Sequence, residues 1–343
     1  MEYGLSSGMN FTKMKRSDIY FSLLILSLSA ALTAGCDVDS PEATISFEKK
    51  SSMPGNGRAS AVAFAVGGKG YVALGRNANK EQLNDCWEYN PSTDTWKQKS
   101  SFPGIPRVKA TAVVLNSKAY IGLGHNNDSA VYNPASCLRD FWEYTPATDT
   151  WRQLTDFPSN FTDACTAFAH NNEIYVGNGF SESGYGGQLW KYLPQENKWI
   201  RLNDFKGKSR FGGVVCSDDK RILFGTGFRI GNRNDWWEYR PQSDSWAELQ
   251  AMPDNGRVNA VALAVGNRYF VATGRHFGGN IGRGHVKSDL QEYNPDSDSW
   301  RKAGELPVGA RENAVAFVID GCGYIGLGEN DEKVLNDFWS FEP

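Results

Sequence analysis

Histidine is scarce in this chain, four in 343 residues, and none of the six cysteines stands in a CxxC spacing. Neither a His/Cys metal cluster nor a dithiol redox pair has the ligands it needs. A basic excess is also missing. The formal charge of -3 excludes the electropositive surface that nucleic acid requires. No nucleophile motif and no phosphate-cradling glycine loop occurs. Glycine and aromatics are not scarce: 36 Gly and 13% aromatic residues describe a turn-rich globular chain.

The one long apolar stretch, Ile19 to Gly35, is short for a membrane span and follows the basic residues Lys13, Lys15 and Arg16. That order is the order of a signal peptide. Leu32-Thr33-Ala34-Gly35-Cys36 resembles a bacterial lipobox. The resemblance implies cleavage before Cys36 and acylation of its thiol. The expected organisation is a signal peptide over residues 1–35, an acidic tether over 36–42 and a folded domain over 43–343. The expected location is exported and membrane-anchored through Cys36, periplasmic or on the outer surface, with the membrane engaged through the lipid alone. Cys86, Cys137, Cys165, Cys216 and Cys322 read as buried small hydrophobes, and their odd number leaves at least one unpaired within the chain.

Internal repetition dominates the rest. Trp96, Trp151, Trp199, Trp246 and Trp300 each follow a turn such as PSTDTW, and a Tyr stands seven residues before each. Eleven residues after each Trp comes Arg107, Thr162, Arg210, Arg257 or Arg311, and seventeen further on a Gly closes an apolar run. Arg58 and Gly75 keep the same spacing, and Phe47 lies eleven residues before Arg58. The last repeat stops at DFWSFEP without its Trp segment. The two deficits are complementary, so the residues around Phe47 are expected to supply the outermost strand of the sixth unit and leave no open edge.

Each unit reads as four antiparallel strands: a small-residue inner strand, one ending on glycine, the WEY segment and the Trp segment. Over residues 43 to 343 this pattern resembles the kelch repeat, with glycines closing the second strand followed by Tyr and Trp at a fixed distance. The resemblance implies an all-β, six-bladed propeller. One departure is visible. The adjacent Gly-Gly of the family appears here as spaced pairs such as Gly122-Leu123-Gly124, and as Gly75 alone in the first unit.

Because the other spacings are fixed, all length variation falls between the Gly and the Tyr, or Phe341 in the last unit, at 14, 20, 13, 12, 19 and 13 residues. That loop joins the second and third strands and shares a face with the connections between blades. Recognition on a rigid scaffold usually resides in such loops. The expected ligand-binding residues at this channel mouth are Arg58, Arg107, Arg210, Arg257 and Arg311 as a ring, with Arg76, His125, Arg275, His276 and Glu329 just after the glycines. The blade-five loop RHFGGNIGRGHVK is locally basic, which favours an anionic group. Asp85, Asp140, Asp235, Asp289 and Asp337, with Gln188 in blade three, recur before the third strand and read as turn or interblade residues. Asp94, Asp149, Asp244 and Asp298 belong to the hairpin turns of the opposite face.

These features lead to a monomeric binding module for a glycan or protein ligand, without cofactor. The alternative is an enzyme like the exported kelch-type sialic-acid mutarotases, in which Glu329, Glu312 or His125 moves protons at an acidic sugar. Copper chemistry of the galactose oxidase kind lacks its histidines and a Tyr-His dipeptide here.

Overall fold

The computed structural model describes residues 44–126, 136–278 and 284–343, with Met1; the signal segment, Cys36 and the tips of the blade-two and blade-five loops, Arg283 included, lie outside the described residues. Thr44–Pro343 is one compact unit. It is all β, with six four-stranded antiparallel sheets arranged as the blades of a propeller. Blade one holds Val62–Val66, Lys69–Ala73, Cys86–Asn90 and Thr95–Lys99 from axis to rim. In every blade the first strand packs on the first strands of both neighbours, which closes the ring. No helix among the described residues is long and apolar enough to cross a membrane.

Blade six takes Val315–Ile319, Cys322–Gly326 and Phe338–Phe341 from the end of the domain and Glu48–Lys50 from its start. Glu48 pairs with Ser340 and Lys50 with Phe338, so the edge of the last sheet is covered as the repeat deficits predicted. Phe47 packs on Phe341 at 5.3 Å between ring centroids.

Two sets of backbone hydrogen bonds run right round the ring. Gly75, Gly124, Gly179, Gly227, Gly274 and Gly328 each donate N–H to the carbonyl of the following blade's Arg107, Thr162, Arg210, Arg257, Arg311 or Arg58, at 2.7–2.9 Å. Glycine is needed here by contact as well as by conformation. At Gly124, φ is +79° and a Cβ would stand 2.4 Å from the carbonyl oxygen of Val108. The preceding residue is left-handed too, yet it is Leu123 in this blade, with φ +63°. The spaced glycine pair thus keeps the second of two left-handed positions and lets a leucine carry the first.

The second set lies at the mouth. Lys109 N–H donates to Ser60 C=O, Ala164 to Lys109, Gly212 to Ala164, Asn259 to Gly212, Asn313 to Asn259, and Ser60 to Asn313, all at 3.0–3.2 Å. All six residues have φ between +52° and +60°. One donor and one acceptor per blade are consumed in a cycle around the axis, which satisfies the backbone where the inner strands begin.

A third device ties the blades at the opposite face. Asp94, Asp149, Asn197, Asp244 and Asp298 accept the hydroxyl of their own hairpin's Tyr at 2.6–2.8 Å. The same side chains accept the backbone N–H of Ser51, Ser100, Thr155, Asn203 and Gln250 from the preceding blade at 2.8–3.0 Å. Four of the five hairpin tryptophans return an indole N–H to the carbonyl of that residue, whereas Trp246 Nε1 finds no acceptor. Blade six has no such turn, because the two ends of the domain meet there. Its aromatic pair is accordingly Phe341 and Phe47, neither of which carries a polar group to satisfy.

Candidate functional site

The five arginines expected around the mouth do not line it. Arg107, Arg210, Arg257 and Arg311 are fully buried and Arg58 nearly so. Each grips the aspartate that precedes its own blade's third strand through two N–H···O bonds of 2.5–3.0 Å: Asp85, Asp140, Asp235, Asp289 and Asp337. A further guanidinium N–H reaches the carbonyl of the left-handed residue before the glycine, at 2.7–3.1 Å. The outer carboxylate oxygen also takes an indole N–H from Trp87, Trp142, Trp237 or Trp339, or the amide of Gln291 in blade five. Burial works against the charge on these aspartates, but the paired guanidinium holds each carboxyl below the usual carboxylate range. The ring is therefore a blade brace. A buried guanidinium must be paired, and in all five the bidentate partner lies within the blade, with Arg257 taking a second carboxylate from Asp254 on the connection from blade four. Blade three replaces both members at once, with Thr162 and Gln188, whose Oε1 keeps the indole bond from Trp190.

The mouth itself is built from the residues beside the brace. The residue after each Arg or Thr pairs with the residue after each Gly: Ala59 with Arg76, Val108 with His125, Asp163 with Phe180, Phe211 with Phe228, Val258 with Arg275 and Glu312 with Glu329. These pairs surround the hydrogen-bonded ring of Ser60 to Asn313 and give the mouth two unlike halves.

The half at blades five, six and one is charged. Arg76 lies 2.5 Å from Glu329, whose other oxygen accepts from Asn313 Nδ2 at 2.9 Å. Arg275 pairs with Glu312 and, at 2.7 Å, with Asp331, while Asn259 Nδ2 reaches Glu312 at 2.8 Å. A cavity of about 680 Å³ opens here, lined in part by Arg76, Lys80, Arg275, Glu312, Glu329 and Asp331. Its lining carries four acidic and four basic side chains, with Glu332 and Lys333 completing the balance.

The half at blades three and four is aromatic. Phe211 meets Phe180 at 5.6 Å, Phe228 at 5.9 Å and, nearly parallel, Tyr185 at 6.1 Å. Phe277 continues the arc to the charged cavity through Phe228, at 5.5 Å. Lys109 stands over Phe211 with Nζ 5.3 Å from the ring centre. Next to it, His125 Nδ1 is 3.2 Å from Asp163 Oδ1. Burial opposes the charge of Asp163, yet Lys109 and His125 hold its pKa below the ordinary value.

The structure thus brings Arg76, Arg275 and Glu329 together and sets His125 apart with Asp163. His276 is turned toward blade four, its Nδ1 3.0 Å from the Gly256 carbonyl. Lys287, expected to add to a basic loop, pairs with Asp254 at 3.1 Å. Lys109, Asn259, Asn313 and Phe211 were not singled out by the sequence, although Phe180 and Phe228 stand at the variable position just after the glycine. The signal of the first four is positional: they stand one or two residues after the fixed Arg and differ in nearly every repeat.

The kelch motif is matched over residues 57–103, which spans one blade. Among solved structures, the one titled "Structure of YjhT" is similar, with TM-score 0.70 and 18% identity over 84% of this chain and 96% of that one. By sequence, no curated protein matches. The protein is a β-propeller of six four-stranded blades, the first of which carries the kelch motif.

Proposed function

We propose that the protein is an exported, lipid-anchored propeller whose mouth binds an uncharged stretch of glycan. The observation that carries this reading is the division of the mouth into an aromatic arc and a self-neutralised polar cavity. Aromatic faces take the C–H face of a sugar ring, and fixed carboxylates and amides take its hydroxyls. The arginines that favoured an anion, Arg76 and Arg275, are already matched by Glu312, Glu329 and Asp331, so a free carboxylate on the ligand would have to displace a carboxylate of the protein to reach a guanidinium.

The test is calorimetric titration with neutral and acidic oligosaccharides. Phe211→Ala and Glu329→Gln are each expected to weaken binding of a neutral glycan roughly tenfold while the melting temperature changes little. Preference for acidic over neutral sugars, or affinity untouched by both substitutions, would sink the reading.

A second reading, interconversion of sugar anomers, is favoured by one observation. Buried Asp163 Oδ1 lies 3.2 Å from Nδ1 of His125, and neither atom has a hydrogen-bond partner elsewhere among the described residues. A carboxylate beside one ring nitrogen orients the imidazole and leaves the other nitrogen to move a proton, which is the arrangement of a general base. Exchange between anomers, followed by NMR, is expected to be accelerated by the native protein and not by His125→Gln. No acceleration by the native protein leaves binding alone.

A further inference from the structure

The blade-four loop ends in a conformation its sequence does not suit. Between Phe228 and Asn232, which pair across it, the tip is Arg229-Ile230-Gly231. Ile230 is 86% exposed and has φ +51°, a left-handed setting that a β-branched side chain adopts only at a cost. Glycine or asparagine would fit the turn without strain. Nothing in the fold uses the isoleucine, since its side chain is almost wholly in solvent.

The charges around the tip are also unusual. Thirteen of the described arginines have a carboxylate partner, from Arg58 to Arg311. Arg229 and Arg233, on either side of Ile230, have none among the described residues; Arg233 reaches only the backbone carbonyl of Arg229, at 3.0 Å. The other large apolar side chains exposed in this unit, Ile105 at 51% and Val308 at 47%, lie on the interblade connections of the same face.

We infer that the blade-four tip is a docking anchor for a second protein, which receives Ile230 in an apolar pocket rimmed by carboxylates that meet Arg229 and Arg233. Strained residues that persist without a structural reason concentrate at binding sites. A single apolar side chain in a pocket, flanked by desolvated arginines, is the pattern of an interface hot spot. One isoleucine is too small an apolar surface to hold the protein on a lipid bilayer. This inference does not depend on what occupies the mouth.

The test places a photo-crosslinking benzoylphenylalanine at position 230 in the producing cells, with the same residue at Thr93, in a hairpin turn of the opposite face, as control. The protein captured only from position 230 is then purified and titrated against the native chain, Ile230→Gly and the pair Arg229→Glu with Arg233→Glu. Both variants are expected to lose affinity tenfold or more, the native affinity to fall with added salt, and Ile230→Gly to melt no lower than the native protein. Equal capture at both positions, capture of a second copy of this chain, binding to phosphatidylglycerol vesicles in place of a protein, or unchanged affinity of Ile230→Gly would each overturn it.

Discussion

Arg107→Ala is expected to destabilise the propeller by about 3 kcal/mol, the lower end of the cost of breaking a buried ion pair, because Asp140 keeps some contact with water. For a domain of this size that corresponds to roughly 6 °C in the melting temperature, readable by calorimetry. The mechanism is the carboxylate left behind, together with the carbonyl of Leu123, which loses its donor. Blade three shows how the same site is built without charge. Arg107→Thr combined with Asp140→Gln, copying Thr162 and Gln188, is expected to recover more than half of the loss. A double as damaging as the sum of its single substitutions would show that the pair is not coupled.

The same braces set the response to acid. Five aspartates have folded pKa values below their unfolded ones, so their contribution is fully present above the unfolded pKa and is lost as pH falls through the folded values. Stability is expected to be level from neutral pH to about 5 and to drop steeply below about 4. The double variant, with one fewer such group, should show a shallower fall.

Removing residues 44–53 is the second large effect. It takes away the partner of Phe338–Phe341 and the buried side chains of Ile45 and Met53, with Phe47 between them. Each fully buried apolar side chain of this kind is worth about 1.5–3 kcal/mol, and the uncovered edge is a template for pairing between molecules. It also empties the clasp of Asp94, which holds Ser51. The expected result is loss of a single cooperative melting transition and concentration-dependent aggregation by light scattering. A synthetic peptide spanning 44–53 should restore both. A truncated chain that melts within a few degrees of the intact one would show that the ring does not depend on this strand.

The fold was legible because its determinants are local and repeated. The distances from Trp to Arg, Arg to Gly and Tyr to Trp are the lengths of chain needed to cross between blades, traverse two strands and turn one hairpin. The absence of Tyr and Trp in the sixth unit was legible as a closing strand, and the structure adds why both became phenylalanine. The role of the arginines was not legible from position alone, since Arg58 or Arg257 near a mouth looks the same whether it faces a ligand or an aspartate some thirty residues on. The joint change to Thr162 and Gln188 carried that information, because only a pair in contact gains from losing both charges together. The mouth was hardest to read. Phe180, Phe211 and Phe228 stand at fixed places beside the repeated glycine and arginine, but the interval fixes the place and not the residue type, and Tyr185 comes from a loop of variable length.

The meeting of the chain ends in blade six has one more implication. A turn on the face away from the mouth is missing there and present five times elsewhere, so the place where the chain begins and ends is one choice among six nearly interchangeable sites. Joining Pro343 to Thr44 through a short turn and opening the chain instead between Pro146 and Asp149 would relocate both ends without moving a residue of the mouth. The new opening would forfeit the clasp of Asp149, and blade six would regain one only if Phe341 became tyrosine and the added turn supplied its acceptor. In that sense the ring leaves the position of its seam open, and the missing turn of blade six is what marks it.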